Sequence, residues 1–133
     1  MVTSEAGCVS STTVKPAVPP ASVVTSPLTG SILPGITRDS VIQVLNKWGV
    51  KTSERLFTID EVLTAQKDGS LTEVFGTGTA AVISPVGNIH FKGNSYQVAD
   101  GQTGALSQKL YDYLLALQYG EGEDSFGWVE KIG

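Results

Sequence analysis

The sequence predicts a mixed α/β fold, organised as α+β: one small domain in which a sheet is flanked by helices. Three observations predict it. Apolar residues recur at helical spacing in three separate stretches, short β-branched or alternating runs lie between them, and glycine-bearing turns separate the runs. At 133 residues the chain holds one domain with a real core and is too short for two ordinary ones.

Residues 1–22 form a Ser/Thr/Pro-rich stretch with neither helical nor strand period, and read as an irregular leader. Five of the six prolines (Pro16, Pro19, Pro20, Pro27 and Pro34) fall in the first 34 residues, and the only charges before Arg38 are Glu5 and Lys15. The folded part is expected from near Val23, so that 23–133 form the domain.

Leu33-Pro34-Gly35 reads as a turn. A helix follows in which Val41, Ile42, Leu45 and Trp48 share one face, with Gly49 as its stop. Lys51 to Phe57 reads as a short strand. Thr58-Ile59-Asp60-Glu61 has capping-box spacing, a hydroxyl and a carboxylate placed to satisfy the free amides of a second helix, which stops at Asp68-Gly69. Leu71 to Phe75 leads into Gly76-Thr77-Gly78-Thr79-Ala80-Ala81, and Val82 to Ser84 is strand-like before Pro85. Gly87-Asn88 and Lys92-Gly93-Asn94 read as turns around Ile89 to Phe91 and Ser95 to Val98, completing an antiparallel meander. A last helix from about Thr103 to Tyr119 buries Leu106, Leu110, Tyr113, Leu114 and Leu117 and stops at Gly120. The remaining tail is acidic.

Charge and composition exclude several classes. Nine basic against thirteen acidic side chains give a net charge of -4, the wrong sign for a reader of nucleic acid. The single cysteine, Cys8, cannot form an internal disulfide, and one histidine cannot build a Cys/His zinc site. No apolar run approaches the ~18 residues of a membrane span, and the start is a poor secretory signal. A cytoplasmic setting fits, with no metal and no membrane partner.

Two loops have the composition of anion sites. Gly35-Ile36-Thr37 stands directly before a helix, where unpaired amides and the positive end of the dipole attract phosphate; the alternative is that Thr37 is simply an N-cap. Gly76 to Ala81 packs two glycines and two hydroxyls into six residues and presents several amides to one anion; the alternative is a plain strand connection. It matches neither a P-loop nor a dinucleotide fingerprint. No residue reads as catalytic. His90 alternates with Ile89 and Phe91, and so faces solvent; of the seven lysines, Lys47, Lys67 and Lys109 lie on polar helix faces and Lys92 in a turn, and none sits in an apolar context that would lower its pKa toward nucleophilic use.

The strings Leu33-Pro-Gly-Ile-Thr-Arg-Asp-Ser-Val-Ile42, Ser53-Glu-Arg55 and Glu73-Val-Phe-Gly-Thr-Gly-Thr-Ala-Ala81 resemble the C-terminal part of branched-chain amino acid aminotransferases. Ile83-Ser-Pro-Val86, Ser107-Gln-Lys-Leu110, Leu117-Gln118 and Phe126-Gly-Trp128 follow in the same order. D-amino-acid aminotransferases and aminodeoxychorismate lyases share this class IV architecture, but the strings from Phe75 to Ala81 and Phe126 to Trp128 look more like the branched-chain group.

The resemblance implies the C-terminal domain of the class IV fold, a mixed sheet or pseudo-barrel flanked by helices, in a homodimeric enzyme that uses pyridoxal 5'-phosphate. It implies that Gly35 and the amides of Ile36 and Thr37 cup the cofactor phosphate, that Leu33 packs on the pyridine ring, and that Gly78 and Thr79 hold the phosphate from the other side. Thr79 and Ala80 would receive the carboxylate of an amino acid or 2-oxo acid. It also implies that the Schiff-base lysine and the glutamate on the pyridine nitrogen belong upstream of the matching region, with no counterpart among these residues. The expectation is therefore a portion of a transaminase that is inactive alone, or a non-catalytic module that keeps the anion loops.

Overall fold

The computed structural model describes residues 2–5, 22–30 and 34–132; for 2–5 and 22 it describes the backbone alone. A five-stranded sheet of order β3-β2-β1-β4-β5 is formed by β1 (Val2–Glu5), β2 (Ser22–Thr25), β3 (Lys51–Glu54), β4 (Val74–Gly78) and β5 (Val82–Pro85). Strands β6 (Asn88–Phe91) and β7 (Asn94–Gln97) pair antiparallel as a separate hairpin. Helices α1 (Ile36–Lys47), α2 (Ile59–Asp68) and α3 (Ala105–Gln118) complete the fold, which is the expected mixed α/β class.

Side-chain alternation along the strands divides the core in two. Phe75 is fully buried with Val23, Val41, Val44, Leu45, Ile83, Leu110 and Leu114, so α1 and α3 cover one face of the sheet. Its neighbour Val74 points the other way, into a smaller cluster with Val62, Ala65, Leu71 and Val98, which brings α2 to the opposite face. The helix ends follow their punctuation. Gly49, Gly69 and Gly120 all hold positive φ at the ends of α1, α2 and α3, the left-handed stop that glycine adopts at least cost. Thr58 caps α2 by accepting from the Glu61 amide at 3.2 Å.

Four expectations are corrected. Val2–Glu5 is a strand within the stretch read as irregular; it lies between β2 and β4, antiparallel to both, and supplies the backbone partners that neither would otherwise have. The remainder of the leader, Cys8 included, lies outside the described residues. The strand expected at Lys51 to Phe57 ends at Glu54, where its parallel partner β2 also ends. The meander is broken: Asn88 opens β6 instead of forming a turn, and β6–β7 leaves the main sheet. Finally, Gly35 and not Thr37 is the N-cap of α1, Thr37 being inside the helix.

Candidate functional site

The topology brings both candidate anion loops to one edge. Strand β1 is antiparallel to β2 and to β4, so β2 and β4 run the same way, and β3 is parallel to β2. The carboxyl ends of β2, β3 and β4 therefore share one end of the sheet. From β2 the chain leads to the N-terminus of α1, and from β4 it enters the tip Thr79-Ala80-Ala81 before β5 returns. In open α/β sheets this end is where ligands bind.

The first half of the site is an uncapped helix start. Gly35 has φ -66° and ψ 139°, and among the described residues no side chain caps the amides that follow it. A methyl group added at Gly35 would meet nothing within 4 Å among the described residues, so the space beside this turn is open there. Ile36 leaves 85% of its surface exposed; this large apolar side chain does nothing for the core, and what the position contributes is its backbone. The other two helices are capped from within. Thr58 serves α2, and the buried Glu73 carboxylate accepts from Leu106 N and Ser107 N, each at 2.8 Å, and from Ser107 Oγ at 2.6 Å, at the start of α3. Among the described residues, only α1 of the three has no side-chain cap on its first turn.

The second half is the β4–β5 hairpin. Gly78 pairs with Val82 across the three-residue tip, and Gly78, Thr79, Ala80 and Ala81 are all exposed. Val82 takes φ 59°, a left-handed conformation that is rare for a β-branched side chain and that persists where surrounding structure over-determines it. Here the strand pairing and the burial of Val82 hold it. Two residues along from Phe75, Thr77 points to the same face, toward α1, and its Oγ1 is buried with no partner among the described residues.

Arg38, in the first turn of α1, is only 5% exposed. Its guanidinium donates to the Ser26 carbonyl at 2.9 Å and forms an ion pair with Glu54. It thus ties α1 to the ends of β2 and β3. In the sequence, Arg38 stands out only as one letter of the Leu33 to Ile42 string. Its place in a first helical turn, where the dipole disfavours a cation, is the signal the sequence carries; its burial is visible only in the fold. Glu73 was missed because its partners lie 33 and 34 residues away.

Of the expected site residues, Gly35, Ile36, Thr37, Gly78, Thr79 and Ala80 all stand at this one edge. Leu33 lies outside the described residues. His90 is exposed, while Ile89 and Phe91 are half-buried, as the alternation required. Among the described residues no three His, Cys, Asp or Glu side chains come together as a metal site, and no helix is long and apolar enough to cross a membrane. Beside α1's first turn, a groove of about 560 Å³ opens between α1, α3 and the C-terminal tail, with Ile36, Gln43, Leu117 and Trp128 among its walls.

Known proteins carry the same elements. Branched-chain-amino-acid aminotransferase 2 of Bacillus subtilis is 51% identical over 110 residues, which is 83% of this chain and 30% of that protein. The branched-chain-amino-acid aminotransferase of Mycobacterium tuberculosis is 42% identical over 113 residues, 85% of this chain and 31% of that protein. Among solved structures, the Escherichia coli branched-chain amino acid aminotransferase superposes with a TM-score of 0.68 at 33% identity, over 83% of this chain and 33% of that one. The branched-chain aminotransferase of Thermoproteus uzoniensis, solved with norvaline, gives 0.62 at 30% identity, over 80% of this chain and 32% of that one. The chain spans about 30% of the length of the curated relatives it matches. Residues 8–89 match the amino-transferase class IV family, and with the strands, the helices and the loops in the family's order the chain belongs to the class IV aminotransferases.

Proposed function

We propose that this chain supplies the phosphate-holding part of the active site of a pyridoxal 5'-phosphate-dependent aminotransferase, which exchanges amino groups between leucine, isoleucine or valine and 2-oxoglutarate. One observation carries the reading: the uncapped start of α1 and the β4–β5 tip leave the same end of the sheet.

The residues present fit a phosphate. Ile36 and Thr37 offer backbone amides at the positive end of a 12-residue helix, where an anion is favoured by dipole and hydrogen bonding together. Gly35 leaves the approach open, and the orphaned Thr77 Oγ1 gives the opposite wall a spare polar atom. In this reading Gly78 and Thr79 hold the phosphate from the hairpin side, Leu33 supports the ring, and Thr79 with Ala80 orients the substrate carboxylate. Bound pyridoxal phosphate supplies an electron sink for the charge that develops beside the substrate's amino group. The chain's own residues bind and orient. Among the described residues no lysine stands at this end of the sheet to carry the proton at the reacting carbon, so in this reading turnover draws on a lysine from a partner segment. The reading extends to a cytoplasmic homodimer, which the family resemblance implies.

Amide chemical shifts during titration with inorganic phosphate, and then with pyridoxal phosphate, test it. Ile36, Thr37 and Thr79 should move together, and Thr79→Ala should weaken binding by about five- to tenfold, the loss of one charge-assisted hydrogen bond. Transaminase assays on the 133-residue chain should give no turnover. Shifts confined to lysines remote from this edge, or a branched-chain-dependent turnover that survives Thr79→Ala, would refute the proposal.

A further inference from the structure

We propose that Arg38 is a positioning residue for the phosphate cup: its buried guanidinium, held by Ser26 and Glu54, fixes where the first turn of α1 points its amides. The inference rests on the cup reading above, and adds to it a residue that touches neither phosphate nor substrate.

The geometry assigns Arg38 this part. It follows Thr37 directly, so any rotation of its backbone rotates the Thr37 peptide. Its side chain leaves α1 toward the sheet, where it donates to the Ser26 carbonyl just beyond β2, at 2.9 Å. The second anchor, Glu54, is the last residue of β3. Both anchors lie at the carboxyl ends of parallel strands in register, Thr25 beside Glu54. A planar guanidinium that bridges two fixed acceptors sets direction as well as distance. Both bonds leave one nitrogen, Nη2, which the rigid fork aims at Ser26 and Glu54 together; a lysine ammonium has donors enough for both acceptors but only a flexible stem to aim them.

Electrostatics separates this from a merely structural ion pair. Arg38 is 5% exposed and its partner Glu54 49%, so water dilutes the counter-charge while the cation stays in low dielectric. That cation stands at the positive end of the helix dipole, an arrangement unfavourable for an empty helix and favourable once an anion docks in front of it. Beneath the same turn, Arg38 Nε and Thr25 Oγ1 are buried with no partner among the described residues. Thr25 is 2% exposed and shares the face of Val23, toward α1. Polar groups left unmatched under a helix start are an arrangement that stability alone disfavours.

The experiment compares the wild-type chain with Arg38→Gln, Arg38→Lys and Glu54→Gln, reading two things on each. The first is the affinity for inorganic phosphate. The second, without ligand, is hydrogen exchange at the Asp39 amide, whose 3.1 Å bond to the Gly35 carbonyl closes the first turn. Arg38→Gln should weaken phosphate binding by about tenfold and speed Asp39 exchange by a similar factor, while Val44 and Leu45 in the same helix keep their protection. Arg38→Lys should recover part of both, and the exposed Glu54→Gln, which preserves folding, should shift both by about threefold. Phosphate affinity unchanged in Arg38→Gln and Glu54→Gln would overturn the inference. If Arg38→Gln does not fold, Arg38→Lys and Glu54→Gln decide by the same two readings. If wild type binds no phosphate, the cup reading falls, and Asp39 exchange alone decides the positioning: acceleration confined to the first turn upholds it, and none refutes it.

Discussion

A carboxylate withdrawn from water is costly unless hydrogen bonds replace its hydration, and Glu73, 6% exposed, is supplied with three. It caps a helix from 32 residues upstream of that helix's first residue. Glu73→Ala should therefore destabilise the chain by about 2–3 kcal/mol, combining a lost cap with two orphaned amides. Urea unfolding with an unchanged m-value measures it, and a loss under about 0.5 kcal/mol would show that water takes over the cap. Gly104 is a matching constraint: a methyl group there would lie 1.9 Å from the Glu73 carboxyl carbon. Neither role was legible in the sequence, where Glu73 was one letter of a motif and Gly104 an unremarked loop residue. His90 was legible, because a two-residue period fixes a strand side chain's face without reference to anything distant. The positions of Ile36, Thr37 and Thr79 were legible for a similar reason: their surroundings are local turns. That their two loops leave the same end of the sheet was not, since this depends on strand order.

Among the elements, the helices followed their spacing and stops closely, with α1, α2 and α3 each ending one or two residues before the expected glycine. Strand partners were harder, because four-residue strands carry little signal about which edge they join. The parallel pairing of β2 with β3 across α1, and the insertion of Val2–Glu5, belong to that class. The tail after α3 is more ordered than its acidic composition suggested. Phe126 stacks on Trp128 with ring centroids 4.2 Å apart, and Lys47 lies 5.3 Å over the Phe126 ring. Asp124 organises this turn. The Val129 amide first, then those of Trp128, Phe126 and Gly127, hold its carboxyl below the ordinary 3.8. A depressed acid stabilises the fold above its unfolded value and ceases to as pH falls through its folded value. In a Trp48→Phe background, Trp128 fluorescence should stay constant down to about pH 4 and change only below it. Asp124→Asn should show the loosened signal at neutral pH. A Trp128 transition centred above pH 4 would assign the turn to another group.

At the scale of the molecule, apolar side chains remain uncovered. Ile36, Leu56, Tyr119 and Ile132 are 85%, 72%, 75% and 95% exposed, and Trp128 and Val129 flank the groove between α1 and α3. Scattered apolar residues are ordinary on protein surfaces, but a groove with Ile36, Trp128 and Val129 in its walls favours association. Sedimentation velocity over about a hundredfold range of concentration should show a rising average mass, and Trp128→Ser with Ile132→Ser should lower it. A concentration-independent monomer would show that these side chains are scattered and not a patch.

The contact between Glu73 and Gly104 also constrains how this sequence can change. With the glutamate present, a side chain at 104 collides with it; with the glutamate absent, the same side chain has room. The two positions should therefore be epistatic. Gly104→Ala alone should cost more than it does when Glu73→Ala precedes it, and a double-mutant cycle should return a coupling of about 1–2 kcal/mol. A lineage could leave this pairing only through the loss of the carboxylate first, a step that uncaps a helix and is open only to a chain with stability to spare.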